Sequence, residues 1–507
     1  MSNQWNRSVA QKRIDDAIAA LPTQDIKIKE YVRDTSLDDL PRDVAYRVDG
    51  VHLYVDILNM RDLLQVTQVE GETCHRRTLR FLNLHYRAVH RILARVDAIQ
   101  VDFHNQRLHA VFAKPYGDEA ARVHRAIATG QLITEVLRQT GEDADHPAAQ
   151  VRIGIDSGKA LAVNNGRRGH REPLFLGRPA NHAAKRAGGG TATGIYLTNE
   201  ARAVVGLTAV ADVDASALTS EQVQASEKRA KLGVSGDDIV KEWQEDLSNS
   251  PIGTFAFSGH TPPFSDLDLE KLAVKNSRRQ DAASVYGDID GFTAYVSRHI
   301  DDDWSARQVV RALHVLRAEL NCVLHDDFEG CKVRFIGDCI HGLAADGTAQ
   351  TTDTAETISN MTLCAAAMRS SFRLAQERLA TAGTDANALG LAVGFEFGPM
   401  AVTRLGMKGG LVRCCVSRGV LAAEAEQSAC TGRQTAIGPI AYEKGSSAVR
   451  KLFGPNRRVS DLDFDAAVES LAADGDENAK RTRRNALKAV APAIQVVNRP
   501  ELRPYCR

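Results

Sequence analysis

The stretch YGDIDGFTAY, residues 286–295, carries an apolar strand into an acidic side chain and then into a glycine turn. Asp288 lies in this stretch, and fifty residues later Asp338 lies in KVRFIGDCIHGL, residues 332–343. Two carboxylates at the ends of adjacent strands can hold two metal ions for an in-line attack on phosphorus. The sequence therefore predicts a two-metal site built on Asp288 and Asp338.

The same arrangement occurs a second time, in altered form, in the first half of the chain. There VHLYVDILNM contains Asp56 and IQVDFHNQRLHAVF contains Gln106, again fifty residues apart. Four pairs of positions share the offset of 232, namely Asp56 and Asp288, Asp102 and Arg334, Gln106 and Asp338, and His109 and His341. A constant offset over that many positions indicates an internal repeat. Only the second copy retains both acids.

Both halves show the same order of predicted elements. After the acidic strand, apolar residues at three- and four-residue spacing predict a long amphipathic helix, and a hairpin follows with Asn105 or Gly337 at its turn. Further on, residues 151–163 match residues 391–403 at an offset of 240. Strand, helix, two strands, helix and strand is the order of the ferredoxin-like split βαβ arrangement.

The sequence therefore predicts an α+β protein with two ferredoxin-like domains in tandem. The predicted division is an N-terminal extension at 1–41, a first domain at 42–206, a helical connector at 207–279, a second domain at 280–450 and a C-terminal extension at 451–507.

Composition excludes several classes of function. Lys plus Arg and Asp plus Glu are both 64 among the 507 residues, so no overall charge favours nucleic acid or an anionic membrane as a partner. Nine cysteines, an odd number scattered through apolar stretches, favour reduced thiols in a cytoplasmic protein over a disulfide framework. The start of the chain has no apolar signal region, and no apolar run reaches spanning length, which predicts neither export nor membrane insertion.

The motifs DIDGFT and FIGD, at this spacing, resemble those of the class III nucleotide cyclases. The resemblance implies an NTP substrate and two Mg²⁺ or Mn²⁺ ions held by Asp288, Asp338 and the carbonyl of Ile289. It further implies that backbone groups of Gly291, Phe292 and Thr293 cradle the triphosphate. One ion would lower the pKa of the ribose 3′-hydroxyl, and the other would neutralise the pyrophosphate leaving group.

The resemblance also implies that the two halves complement each other as an intramolecular head-to-tail pseudodimer. In the family an Asn and, four residues later, an Arg follow the last hairpin. The first half has Asn181 and Lys185 there, whereas the second half has Leu421 and Ala425. Asn181 would orient the ribose, and Lys185 would stabilise charge on the reacting phosphorus. Because Lys lacks the bidentate fork of Arg, the neighbouring Arg186 is an alternative.

Base choice would fall to Asp102 and Leu174, the first-half positions that read the base in the family. An acid with a Leu matches neither purine pattern, whereas a carboxylate can accept from uracil N3–H or the cytosine amino group. Tyr54 and Tyr286 are interpreted as strand-core aromatics, although Tyr286 could also narrow the base pocket. Phe292 and Ile336 are expected to pack in the core and could also touch the base.

With the C-terminal LRPYCR, residues 502–507, this pattern is similar to the bacterial Pycsar anti-phage pyrimidine cyclases. That similarity implies UTP, or else CTP, as substrate and a cyclic nucleotide messenger that acts on a separate effector. Two alternatives stay open: an adenylate or guanylate cyclase with an unusual base pocket, and a catalytically inactive nucleotide-sensing pseudocyclase.

Overall fold

The structure is a computed structural model, and its helices and strands form two α+β halves. It describes residues 4–33, 35–37, 40–165, 173–407 and 410–490, with side chains as far as 486. The motif LRPYCR lies outside the described residues.

The elements of the first half are α1 Arg7–Ala19, β1 Lys27–Glu30, β2 Val44–Ile57, α2 Met60–Gln65, α3 Glu72–Arg95, β3 Ile99–His104, β4 Arg107–Phe112, α4 Glu119–Leu137, β5 Val151–Val163, β6 Leu174–Leu176, α5 Arg178–Gly188, β7 Gly194–Leu197 and α6 Asn199–Val204. The connecting segment contains α7 Ser220–Ala230, α8 Gly236–Asn249 and β8 Phe257–Ser258.

The elements of the second half are β9 Ser277–Asp290, α9 Phe292–His299, α10 Asp303–Cys322, β10 Cys331–Ile336, β11 Cys339–Ala344, α11 Thr354–Thr381, β12 Gly390–Leu405, β13 Val412–Val416, α12 Arg418–Ser428, β14 Gln434–Ile437, α13 Pro439–Lys444, α14 Ser447–Phe453, β15 Arg458–Ser460, α15 Phe464–Ala473 and α16 Glu477–Val490.

Each half is built on its own sheet, and the two sheets share one topology. The order is β3-β4-β2-β5-β6 in the first sheet and β10-β11-β9-β12-β14-β15 in the second. In both, the four strands of the split βαβ unit stand in the order 2-3-1-4 and pair antiparallel. The predicted two-sheet α+β fold is confirmed, whereas the domain boundaries stay predictions.

The long amphipathic helices are also confirmed, as α3 and α10. Their apolar faces pack on the sheets because buried residues recur at helical spacing along each. The connector is only partly helical, since β8 adds a short parallel strand to β9.

Tight turns place the acidic side chain or its replacement at the tip of each hairpin. Two residues join β3 to β4 and two join β10 to β11, and the first of each pair is left-handed, with φ 47° at Asn105 and 62° at Gly337. The second residue of each turn is Gln106 or Asp338, which therefore projects beyond the strand ends.

The N-terminal extension is anchored on the second half. Arg13 of α1 donates hydrogen bonds of 2.8 Å to Glu319 of α10 and to Asp327 just beyond it, and both carboxylates are nearly buried. Trp5 donates a 2.6 Å hydrogen bond to Ser371 of α11. Because β1 then pairs with β2 of the first sheet, the extension connects the two halves.

We expect Arg13→Ala to lower the free energy of unfolding by about 3 kcal/mol, because it leaves two buried carboxylates without their cation. Urea-induced unfolding of the whole chain measures this change. The matched control is Lys12→Ala, whose partner Asp16 lies on the same helix in solvent. Equal stabilities of the two variants would contradict the anchoring role of Arg13.

Candidate active site

The two predicted metal ligands lie at one edge of the second sheet. Asp288 is near the end of β9, and the β9–β11 register brings Gly287 opposite Ile340, so that the hairpin tip carrying Asp338 ends beside it. Burial and then the charge of Asp290 raise the pKa of Asp288 to about 6. Burial and then the charge of Asp288 raise the pKa of Asp338 well above its usual range. The two carboxylates are therefore close together and poorly solvated.

The chemistry of this edge fits a hard divalent cation. Neither Asp288 nor Asp338 forms an ion pair with a side chain in the described part of the chain, although the charge of Arg317 acts to lower the pKa of Asp338. Among described residues, no group of three or more His, Cys, Asp or Glu side chains is arranged as a metal site. Magnesium suits two carboxylates because it takes its other ligands from water and substrate phosphates. The Ile289 side chain is a buried hydrocarbon, so only its backbone carbonyl could bind a metal.

The turn that follows the strand begins a helix. Gly291 is left-handed, with φ 79°, and α9 starts at the next residue. Free N–H groups at a helix N-terminus can bind phosphate oxygens. The ring of Phe292 is buried in the core of the second half, so only its backbone is available at this turn.

Asn181 connects the first half to this turn. It lies in the first turn of α5 and donates a short hydrogen bond from Nδ2 to Oγ1 of Thr293. Lys185 follows one helical turn later on the same face, is exposed, and forms no ion pair with a described residue. The alternative cation, Arg186, is engaged elsewhere, because its guanidinium lies 3.0 Å from the carboxylate of Asp214. The ion pair gives Arg186 a partner that Lys185 lacks among the described residues, and the choice between the two cations stays a prediction.

A cavity of about 70 Å³ lies between the halves, beside these residues. Its first-half wall includes Asp102, Leu174 and Asn181, and its second-half wall includes Ile336 and Gly337, directly before Asp338. The structure therefore brings the predicted base readers Asp102 and Leu174 together with Asn181 in one cleft.

The two tyrosines related by the repeat lie in different surroundings. Tyr54 lines the cavity, stacked on His109 with ring centroids 4.0 Å apart. Tyr286 is buried in the second half and stacks in the same way on His341, at 4.3 Å. The interpretation of Tyr286 as a strand-core aromatic is confirmed, and the suggestion that it also narrows the pocket is wrong. Tyr54, which the sequence places in a strand core, lines the cavity instead. The internal repeat gives the signal for this. Tyr54 and Tyr286 are equivalent positions, and a wall formed by the first half contains Tyr54.

Asp102 is also less free than its sequence position suggested. Its Oδ1 accepts a short hydrogen bond from the buried guanidinium of Arg334, which is its own counterpart in the repeat. One carboxylate oxygen is thereby occupied, and Oδ2 makes no hydrogen bond with a described residue. No local pattern signals this pairing, which depends on how the two hairpins meet.

The positions that the repeat relates to Asp288, Asp338 and Asn181 are Asp56, Gln106 and Leu421, and we call this region the degenerate cleft. Burial raises the pKa of Asp56 to about 6, while Arg107 acts in the opposite direction. Arg107 reaches across to Glu424 of α12 at 2.5 Å, and Leu421 packs against the core of the first half. This cleft has one acid of the metal pair and an ion pair between the halves.

Comparison with known proteins gives one consistent result. Residues 274–443 match the family model of the adenylate and guanylate cyclase catalytic domain. A uridylate cyclase from Pseudomonas aeruginosa is 54% identical, with 100% of this chain and 99% of that protein covered. A uridylate cyclase from a Rhizobium species is 37% identical, with 89% of this chain and 92% of that protein covered.

The fold agrees with the sequence matches. A crystal structure of a class III adenylyl cyclase-like ATP-binding protein from Pseudomonas aeruginosa superimposes with a TM-score of 0.91 at 55% identity, covering 93% of this chain and 100% of that one. Fold and site together define a class III nucleotide cyclase. Within that class, the chain belongs to the uridylate cyclase family.

Proposed function

We propose that this protein converts UTP into 3′,5′-cyclic UMP and pyrophosphate. The observation that carries the proposal is that both halves meet at one cavity. Asn181 of the first half lines it and donates to Thr293, and Gly337, directly before Asp338, lines it from the second half. The uridylate cyclases to which the chain is similar support UTP as the substrate.

In this proposal the two halves act as a head-to-tail pseudodimer with one competent cleft. The second half supplies Asp288, Asp338 and the phosphate-binding turn, while the first half supplies the base pocket, Asn181 and Lys185. The degenerate cleft does not react, because Gln106 and Leu421 replace the second acid and the asparagine.

The reaction forms a bond from ribose O3′ to the α-phosphorus and breaks the bond from that phosphorus to the pyrophosphate oxygen. The proton of the 3′-hydroxyl passes to solvent. Class III cyclases generally use two divalent ions, and Mg²⁺ or Mn²⁺ held by Asp288, Asp338 and the Ile289 carbonyl would supply charge neutralisation here.

The protein's own groups then determine geometry and charge. Asn181 orients the ribose so that O3′ stands in line with the leaving oxygen. Backbone groups of Gly291, Phe292 and Thr293 hold the triphosphate, and Lys185 stabilises charge on the phosphorus. Burial of the cleft between the halves limits attack by water.

The base pocket favours a pyrimidine. Tyr54 and Leu174 narrow the cavity, and the free oxygen of Asp102 can accept from uracil N3–H or the cytosine amino group. Ile336 contributes apolar contact from the second half. A purine would need more room and a second polar group at the Leu174 position.

We expect the pyrimidine NTPs, with UTP ahead of CTP, to react faster than ATP or GTP when each is incubated with Mg²⁺ or Mn²⁺. Chromatographic identification of the four cyclic products measures the order. Faster formation of cyclic AMP or cyclic GMP would overturn the pyrimidine assignment and leave cyclase chemistry standing. No product from any NTP would instead favour the nucleotide-sensing pseudocyclase.

In the same assay, Asp102→Asn is expected to relax the base preference more than it lowers turnover. The amide oxygen can still accept from Arg334, so the inward group changes from an acceptor to a donor. The rate of reaction with UTP should therefore fall more than the rate with ATP. An unchanged ratio of the four products would contradict base reading by Asp102.

The biological part of the proposal follows from the Pycsar similarity. Cyclic UMP would be a second messenger of anti-phage defence, acting on a separate effector protein in the cytoplasm. No helix in the described ranges has the length and apolar character needed to cross a membrane. Loss of protection against phage in cells carrying Asp338→Ala, with the protein still present, is the corresponding test.

A further inference from the structure

Two arginines of the second half each hold one oxygen of a first-half side chain in the base pocket. Arg334 of β10 holds Oδ1 of Asp102, as described above. Arg317 of α10 is 3% exposed and stacks on the ring of Phe335, with its guanidinium 3.8 Å from the ring centroid. From there its Nη2 donates to the backbone oxygen of Asn165 at 3.1 Å and to Oδ1 of the same residue at 3.2 Å.

This contact decides which way the carboxamide of Asn165 faces. A guanidinium can only donate, so the side-chain atom beside Arg317 must be the oxygen. The amide nitrogen Nδ2 is then on the other side. Asn165 lines the cleft and is 7% exposed, and no described residue accepts a hydrogen bond from its Nδ2. The cleft therefore contains one oriented N–H donor that the described part of the chain does not use.

We propose that Asn165 is a second base-reading residue, which donates from Nδ2 to O4 of the uracil ring, the carbonyl that cytosine lacks. Asp102 accepts at its free oxygen, and Asn165 donates. The uracil edge has the complementary groups, because N3–H stands between the O2 and O4 carbonyls. This inference rests on the proposed UTP cyclase function. It adds a second hydrogen bond to the one expected between the base and Asp102.

The test uses a substitution that reverses the polarity of one group with almost no change of shape. Asn165→Asp replaces the donor by an acceptor. Uracil offers a single ring N–H, whereas the cytosine amino group offers two, so a pocket of acceptors disfavours UTP more than CTP. We expect the ratio of kcat/KM for UTP to that for CTP to fall at least about tenfold, because a buried polar group is left without its partner.

A second variant, Asn165→Leu, removes the donor and keeps the volume. We expect kcat/KM for UTP to fall on the order of tenfold to a hundredfold, through KM more than kcat. The matched control is Asn164→Ala, because the side chain of Asn164 donates to the backbone oxygen of Leu40 and does not line the cleft. Asn164→Ala should keep the wild-type ratio of kcat/KM for UTP to kcat/KM for CTP.

An equal loss with UTP and CTP in both Asn165 variants would overturn the inference, since a structural role lowers both activities together. That result differs from failure of the proposed function, in which the wild-type protein makes no cyclic UMP at all.

Discussion

Asp288→Ala or Asp338→Ala is expected to abolish cyclic nucleotide formation, by a factor on the order of a thousand or more, while the protein stays folded. Each variant removes one of the two carboxylates proposed to hold the metal ions, and a metal contributes several kcal/mol to stabilising charge in such a reaction. Initial rates with UTP and saturating Mn²⁺ measure the loss. The matched control is Asp281→Ala, an exposed acid near the start of the same strand β9.

In the absence of metal, Asp288→Ala should not be less stable than the wild-type protein, although it loses activity. Burial raises the pKa of folded Asp288 to about 6, whereas an unfolded Asp titrates near pH 4. The unfolded state therefore loses its proton first, and the wild-type protein is progressively destabilised as pH rises from about 4 to 6. Above this window the penalty is complete, so Asp288→Ala should unfold at a temperature equal to or higher than wild type.

Metal titration separates the two effects. Mg²⁺ or Mn²⁺ should raise the unfolding temperature of wild type, because it binds the folded state, and should have little effect on either variant. Turnover like that of wild type in Asp288→Ala or Asp338→Ala would remove the two-metal proposal. Equal stabilisation of variant and wild type by Mn²⁺ would remove it as well.

Asn181→Ala is expected to lower kcat by on the order of a hundredfold or more, because the ribose hydroxyl loses its alignment with phosphorus. Asn181 also contacts Thr293, so the variant loses a link between the two halves of the cleft. Steady-state kinetics with UTP measure the loss, and the thermal unfolding midpoint confirms that the chain is folded.

The control for Asn181 lies in the degenerate cleft. Asp56→Asn removes a buried charge whose Oδ1 receives no hydrogen bond from any described residue. It should therefore leave substantial activity. Equal losses from Asp56→Asn and Asp288→Asn would mean that the two halves do not divide the work as proposed.

Much of this protein was predictable from local pattern. The repeat, the order of strands and helices, and the two-residue turns follow from periodicity and from turn residues such as Asn105 and Gly337. Because each turn has two residues, the position of Asp338 beyond the strands was implied as well. The cavity lining is predicted only in part, since the sequence places Tyr54 in a strand core and gives no signal for Asn165.

The sequence by itself determined the α+β repeat, the acids at the sheet edge and the complementary losses in the two copies, because these depend on spacing within one segment. Tertiary structure alone decided which groups are free to act. Arg334 occupies one oxygen of Asp102, Arg317 turns the amide of Asn165, and Asp214 forms an ion pair with Arg186. These contacts join residues far apart in the chain, and hydrogen bonds between such residues leave no periodic signal for local reasoning to detect.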